Sequence, residues 1–355
     1  MYGVILAGGV GTRLWPRSRQ RSPKQLLDIV SQKTMLQETY ERISPLIPAE
    51  RVMVVTGEAY LPLVREQLPD LLERNIILEP AGRGSAPAVG LAAIHISRLA
   101  PGGVMICLPA DHVITQEEKF HQMLEVAAQV AEEGYLVTLG IEPRGPETGY
   151  GYIQSAELLG SFSSQEVYRV KRFTEKPARS TAEAFLRSGD YFWNSGIFIW
   201  RVDVILREME RLLPRLYEQL MEIKGALDSP QERQVLERVW EEVEPETIDY
   251  GIMEKADQVA VLPTDIGWSD VGSWASLLEL LPVQEGGNAV RGDHVGLDTE
   301  GCLIVSPERL VATVGAKDLI IVDSEDALLI CPRDRAEEVK ALVEELKRKG
   351  RDEVL

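Results

Sequence analysis

Leu6-Ala7-Gly8-Gly9-Val10-Gly11-Thr12-Arg13-Leu14-Trp15-Pro16, followed by Ser22-Pro23-Lys24-Gln25, is the segment of this chain best suited to phosphate chemistry. Three glycines within four positions let backbone N–H groups approach phosphate oxygens without side-chain obstruction. Arg13, Arg17, Arg19, Arg21 and Lys24 place five cations ahead of the first acid, Asp28. Two familiar glycine motifs fail here. A dinucleotide fingerprint needs glycine where Leu14 stands, and a Walker A loop needs Lys-Ser or Lys-Thr directly after its last glycine. A nicotinamide-dependent oxidoreductase is therefore a weak reading. The bland alternative is a glycine-rich turn with a solvated basic face.

Carboxylates supply the second set of candidates. Asp111 follows the apolar run Val104–Leu108, and the carboxyl end of a strand is where doubly wound folds place ligands. Asp270 lies in the Trp- and Gly-rich stretch Gly267-Trp268-Ser269-Asp270-Val271-Gly272-Ser273-Trp274. Glu175 and Lys176 end another run, Phe173-Thr174-Glu175-Lys176-Pro177, with Pro177 stopping it. A carboxylate there accepts hydrogen bonds from hydroxyls, and an ammonium holds a phosphate as a point charge. Each also has an ordinary structural reading: a turn or helix cap for Asp111, an exposed ion pair for Glu175 and Lys176, and an N-cap for Asp249.

These residues need a scaffold. The first half alternates strand-sized apolar runs at Gly3–Ala7, Arg51–Thr56, Asn75–Leu78, Val104–Leu108 and Leu136–Ile141 with helix-sized segments at Thr34–Leu46, Glu58–Leu68, Ser85–Leu99 and Gln116–Glu132. That rhythm predicts a doubly wound α/β fold with a Rossmann-like sheet. From Tyr150 the connections become irregular, with strands at Tyr152–Ser155, Val167–Phe173, Phe192–Trp200 and Val259–Pro263 and helices near Ser180–Arg187, Asp203–Leu213 and Gln231–Val243, which reads as a mixed sheet. After Pro282, Gln284–Asn288 looks like a linker. Short apolar runs at Cys302–Val305, Leu310–Val314, Leu319–Val322 and Ala327–Cys331 precede an amphipathic helix over Arg335–Lys349. We expect two domains: 1–282 catalytic, and 283–355 a small β unit with a terminal helix.

Composition narrows the function classes. The chain has 355 residues, 45% hydrophobic and 26% charged, which is ordinary for a globular protein. Lys plus Arg total 38 against 56 Asp plus Glu, a net charge of −18, which argues against nucleic acid or anionic membrane as partner. No apolar run reaches the roughly 18 residues of a membrane span, and the N-terminus lacks a signal peptide's order, so the expected location is cytoplasmic. Cys107, Cys302 and Cys331 form no Cys-x-x-Cys pair, and no two of His95, His112, His121 and His294 stand four apart.

Taken together, Leu6-Ala7-Gly8-Gly9-x-Gly11-Thr12-Arg13-Leu14, Pro23-Lys24, Phe173-Thr174-Glu175-Lys176-Pro177 and Trp193-Asn194-Ser195-Gly196 resemble the sugar nucleotidyltransferases, specifically the mannose-1-phosphate guanylyltransferases. Glu79-Pro80-Ala81-Gly82-Arg83, Pro109-Ala110-Asp111-His112, the stretch Ile248–Lys255 and the stretch Gly267–Trp274 extend the likeness in the family's order. The tail resembles the short, left-handed β-helix-like appendage of the monofunctional enzymes, so no isomerase activity is expected. The resemblance implies transfer of GMP from GTP to mannose 1-phosphate, giving GDP-mannose and pyrophosphate, with Mg²⁺ as cofactor.

On that reading Arg13 and Lys24 are catalytic. Leu6, Ala7, Gly8, Gly9, Gly11, Thr12, Glu79, Arg83, Ser85 and Asp111 bind nucleotide, with Glu79 accepting the adjacent N1–H and N2–H₂ donors of guanine. Gly149, Glu175, Lys176, Asn194 and Asp249 bind the sugar phosphate, and Asp111 with Asp270 holds the metal. The tail's apolar strands are expected to serve self-association into a homodimer. Gly82-Arg83-Gly84-Ser85-Ala86-Pro87 departs from the family's Gly-Arg-Asn-Thr-Ala-Pro, which puts a nucleotide contact from that Asn in doubt, while Ser85 still suits a helix N-cap. The alternatives are a nucleotidyltransferase of the same fold for another base or hexose, and a silent sugar-nucleotide-binding regulatory subunit.

Overall fold

The computed structural model describes residues 1–9 and 11–355; Val10, in the glycine-rich segment, lies outside them. In chain order the strands are β1 Tyr2–Ala7, β2 Val52–Gly57, β3 Ile76–Glu79, β4 Val104–Pro109, β5 Val113–Ile114, β6 Leu136–Ile141, β7 Gly151–Phe162, β8 Gln165–Glu175, β9 Tyr191–Arg201, β10 Val259–Thr264, β11 Trp268–Ser269, β12 Ala289–Leu297, β13 Leu303–Val314, β14 Leu319–Asp323 and β15 Leu328–Pro332. The helices are α1 Met35–Ile43, α2 Leu61–Gln67, α3 Ser85–Leu99, α4 Glu117–Glu132, α5 Arg179–Ser188, α6 Val202–Leu212, α7 Pro214–Ala226, α8 Glu232–Glu241, α9 Trp274–Leu280 and α10 Val339–Arg348. The chain divides into two units.

The first unit comprises Met1–Gly8, Thr39–Ala110 and Ile114–Trp268. It is built on one mixed sheet in the order β3-β2-β1-β4-β9-β6-β10-β8-β7. β1 pairs in parallel with β2 and β4, and β2 with β3, whereas β9 runs antiparallel between β4 and β6. The central strands are apolar on both faces because helices cover both, so they read as continuous runs rather than alternations. Helix α3 carries small residues, and a Cβ on its Gly90 would stand 2.4 Å from Leu220 Cδ1 of α7. Glycine there is what lets the two helices close on each other. α7 was not among the helices expected from sequence: its apolar positions Leu216, Leu220 and Ile223 are buried, but Pro214 at its start reads as the end of the preceding helix.

The second unit comprises Gly9–Glu38, Asp111–Val113 and Ser269–Leu355. Its strands lie in the order β12-β13-β14-β15, parallel except for the last pair. The runs expected at Cys302–Val305 and Leu310–Val314 are one strand, β13, and the expected strand list lacked β12, whose Arg-Gly-Asp-His centre hides its pairing. Leu303, Val305, Ile320, Val322 and Leu329 form its core with Trp15, Trp274 and Val339.

Candidate active site

In the second unit the glycine-rich loop organises itself around Lys24. Gly11 has φ 70°, and a Cβ on it would stand 2.5 Å from Lys24 Cβ, so only glycine fits. Lys24 is 5% exposed; its Nζ donates to Asp111 Oδ2 at 2.9 Å and to the backbone carbonyl of Asp270. Burial pushes the Asp111 carboxyl up, but the charges of Lys24 and His112 and the Lys24 hydrogen bond outweigh it and hold the group below its ordinary value. The Asp270 carboxylate accepts from the Gly272 N–H at 3.0 Å, and its neighbour Val271 has φ 46°. Ser273 then caps α9 with a reciprocal Ser273/Ser276 box, and Trp274 Nε1 donates to the Trp15 carbonyl at 2.8 Å. That chain of contacts fixes the loop bearing Asp270 within its unit.

The five loop cations do not act together. Arg17 pairs with Asp28 at 2.7 Å, and Arg19 pairs with Asp326 while donating to the Pro16 carbonyl. Both are structural ties rather than an anion receptor. Arg13 meets Glu337 at 2.7 Å, with both side chains largely exposed, an ion pair worth about 1 kcal/mol or less. A triphosphate can compete for that guanidinium.

In the first unit four candidate sugar residues converge. Asn194 sits where β9 carries extra residues against β6: Thr138 pairs with Phe198, but Gly140 pairs with Asn194. Ser195 fills the resulting bulge, its hydroxyl donating to the Leu139 carbonyl at 2.7 Å and accepting from Ile197 N–H at 3.2 Å. A bulge re-aims a side chain, and here Asn194 Nδ2 donates to Asp249 Oδ1 at 2.7 Å while its Oδ1 accepts from Gly196 N–H at 3.1 Å. Much of the Asn194 amide is thus spent on Asp249, which makes Asn194 a support for the carboxylate. Asp249 is pushed up to about 6, first by burial and then by the charge of Glu175. It opens a single π-type turn, Asp249–Met253, whose N-cap is Ile248, so the N-cap alternative for Asp249 is excluded.

Glu175 Oε1 accepts from Lys176 Nζ at 2.8 Å, and Lys176 itself has φ 45°. The glycine that makes room here is Gly151: a Cβ on it would stand 2.3 Å from Glu175 Oε2, whereas the one at Gly149 would meet nothing within 4 Å. Sequence reasoning missed Gly151, although the Gly-Tyr-Gly spacing was visible. It also missed Tyr150, whose ring meets Trp193 and Trp268 edge-on at 5.0 and 5.3 Å and whose carbonyl accepts from Lys176 N–H at 3.2 Å.

The segment after β3 holds the remaining candidates. Glu79 is 6% exposed, its Oε1 finds no protein partner, and burial pushes it up to about 7. Arg83 donates to the Glu241 carbonyl at 3.2 Å. Ser85 is not an N-cap: α3 begins at Ser85 with Gly84 as its cap residue, and the Ser85 hydroxyl accepts from Ile248 N–H at 2.9 Å instead. At the end of β1 the Leu6 and Ala7 carbonyls are taken by Ala110 N–H and Thr56 Oγ1, while Gly8 and Gly9 are exposed and Thr12 starts a short 3₁₀ turn.

Asp111 presents a carboxylate oxygen, and Asp270 its backbone carbonyl, to one cation, the Lys24 ammonium, while the Asp270 carboxylate accepts from the Gly272 N–H. Carboxylate and carbonyl oxygens are hard donors of the kind a small divalent ion takes when substrate phosphates complete its shell. Among the described residues there is no group of three or more His, Cys, Asp or Glu placed to hold a metal by themselves.

The nucleotidyl transferase model matches residues 2–285, and a MannoseP isomerase/GMP-like beta-helix domain model matches 292–346. The chain belongs to the nucleotidyl transferase family, among its mannose-1-phosphate guanylyltransferases. A Klebsiella pneumoniae protein of that name is 44% identical over 353 residues, 99% of this chain and 74% of its own length. One from Escherichia coli strain K12 is 41% identical over 358 residues, 99% of this chain and 75% of its own. A crystal structure from Thermus thermophilus, described as mannose-1-phosphate geranyltransferase, superposes with a TM-score of 0.88 at 34% identity, covering 98% of this chain and 99% of that one. Members of this family generally use a divalent metal. Among the described residues no helix is long and apolar enough to cross a membrane.

Proposed function

We propose that this protein transfers GMP from GTP to mannose 1-phosphate. A phosphate oxygen of mannose 1-phosphate attacks the α-phosphorus of GTP, the bond from that phosphorus to the bridging oxygen of the β-phosphate breaks, and GDP-mannose and pyrophosphate result. The observation that carries the reading is Lys24, buried and held by Gly11 between Asp111 and Asp270. Transfers at phosphorus ask little covalent help of a protein; they ask for alignment and charge neutralisation.

Lys24 and Arg13 offset charge on the triphosphate as pyrophosphate departs. The N–H groups of Gly8, Gly9, Gly11 and Thr12 face the nucleotide, the strand end Leu6–Ala7 supports them, Glu79 accepts the guanine edge, and Arg83 after it donates to the nucleotide, whereas the Ser85 hydroxyl is taken up by the Ile248 N–H. Asp111 and Asp270 would hold Mg²⁺, which when bound polarises the phosphoryl oxygens. Glu175 and Asp249, the latter held by Asn194, receive the hexose, Lys176 its phosphate, and Gly149, with open space about it, lets the backbone approach the ring.

The reading extends to organisation. The family models at 2–285 and 292–346 support domains at 1–282 and 283–355. In the second unit Val295, Leu297, Leu310 and Val314 are apolar and exposed on one face of β12 and β13, which supports a homodimer through that face. Leu297→Asp with Val314→Asp should then halve the mass in sedimentation equilibrium; a wild-type monomer removes this part. Three free cysteines and the acidic charge support a cytoplasmic location, checked by fractionation.

The experiment is pyrophosphate release with Mg²⁺ across five nucleoside triphosphates and mannose, glucose, galactose and fucose 1-phosphates. Release mainly with GTP and mannose 1-phosphate is expected. Release with another pair overturns the choice of base or hexose, and release with none overturns the reading.

A further inference from the structure

Gly84 has φ 89°, and a Cβ on it would stand 2.2 Å from the carbonyl oxygen of Glu246. No other residue allows that approach. With it, the segment 83–86 pairs with 246–248 through three hydrogen bonds: Glu246 N–H to the Arg83 carbonyl at 3.0 Å, Ala86 N–H to the Glu246 carbonyl at 3.1 Å, and Ile248 N–H to Ser85 Oγ at 2.9 Å. Two further bonds reinforce the pairing, from Trp240 Nε1 to the Ala81 carbonyl at 2.7 Å and from Arg83 to the Glu241 carbonyl at 3.2 Å.

The last residue so fixed, Ile248, immediately precedes Asp249. Asp249 in turn is held from the other side by Asn194 Nδ2 at 2.7 Å. Between these two anchors the chain makes its π-type turn, a geometry that does not hold itself well and recurs at functional sites.

We propose that Ser85, through the backbone of Ile248, is a positioning residue for Asp249, and that the Gly84-Ser85 pair thereby sets affinity for the hexose 1-phosphate. This rests on the function proposed above. A hydroxyl at position 85 keeps the peptide before Asp249 in one orientation, and Gly84 keeps the hydroxyl within reach.

The test is steady-state kinetics on the full chain for Ser85→Ala, Ser85→Thr and Gly84→Ala. Wild-type synthesis of GDP-mannose is measured first; its absence refutes the proposed function. Given that activity, Ser85→Ala should raise KM for mannose 1-phosphate about three- to tenfold, the range produced by losing one neutral hydrogen bond, while KM for GTP moves less than twofold. Ser85→Thr, which keeps the hydroxyl, should restore the wild-type value. Gly84→Ala should raise the same KM at least as far, because its Cβ forces the two segments apart. An unchanged KM for mannose 1-phosphate in Ser85→Ala, or a parallel rise for both substrates, overturns the proposal. Should Ser85→Ala not fold, Ser85→Cys, of similar size and weaker as an acceptor, is read by the same criterion.

Discussion

Glu79 is the residue whose titration can be read both in stability and in substrate choice. Its carboxyl is 6% exposed with one oxygen unpartnered, and burial raises it from 4.5 to about 7. The difference, 7 − 4.5, is about 2.5 units, or about 3 kcal/mol at 1.36 kcal/mol per unit. Because the folded value lies above the unfolded one, this group's contribution to stability is fully present below 4.5. It is lost as pH rises through about 7. Glu79→Gln removes that loss, so the variant should gain up to about 3 kcal/mol relative to wild type between pH 4.5 and pH 8, whatever fixed cost the buried amide brings. Guanine's donors bind the carboxylate, not the acid, so KM for GTP should fall about tenfold from pH 6 to pH 8 in wild type. The triphosphate titrates too, which is why the measurement is the difference between the wild-type and Glu79→Gln profiles. Calorimetry and kinetics at pH 5, 6, 7 and 8 supply both. Superimposable KM profiles, with GTP still preferred over UTP by the variant, would refute Glu79 as the base acceptor.

Lys24→Met should lower kcat by about 10²–10³, as loss of one preorganised cation at a developing charge does, with KM for mannose 1-phosphate little changed; a loss below fivefold in a stopped-flow assay would count against it. Gly151→Ala should displace Glu175, because the new methyl would stand 2.3 Å from its Oε2, and should raise KM for mannose 1-phosphate at least tenfold while KM for GTP holds. Val271, β-branched at φ 46° and fully buried beside Asp270, sets roughly 1–3 kcal/mol of backbone strain against roughly 1.5–3 kcal/mol of side-chain burial. Val271→Gly should therefore stay within about 2 kcal/mol of wild-type stability in urea titration yet lose activity, and retained activity would show that the strain does not serve Asp270.

The parallel half of the sheet was legible because its physics is local. Strands buried on both faces are continuous apolar runs, and each is followed by a segment of helical period, so β1 to β4, β6, α3 and α4 fall within a residue or two of their expected ends. The elements that were missed depend on partners instead. α7 starts at a proline that marks a boundary when read alone, although Pro at the first helical position is favourable. β12 carries Arg291, Gly292, Asp293 and His294 because one side of it meets solvent, and only its parallel pairing with β13 makes it a strand. The order of β9 between β4 and β6 is a topological fact no window of sequence contains.

In the candidate site the residue types were legible and the division of labour was not. A glycine signals itself in sequence, but whether it stands for approach of a ligand or of its own chain depends on what lies opposite. Gly11, Gly84 and Gly151 each face a protein atom within 2.5 Å of where a Cβ would sit, namely Lys24 Cβ, the Glu246 carbonyl and Glu175 Oε2. Gly8, Gly9 and Gly149 face nothing within 4 Å. On the function proposed above, the first three shape the site, and the second three leave open space for a ligand's oxygens. The charged residues divide in the same way: Arg17 and Arg19 hold the fold, whereas Lys24 is held by it. A substitution at a shaping glycine should consequently act through the residue it crowds, and at an open glycine through the ligand alone. The same alanine replacement thus separates two kinds of glycine that a sequence presents as one.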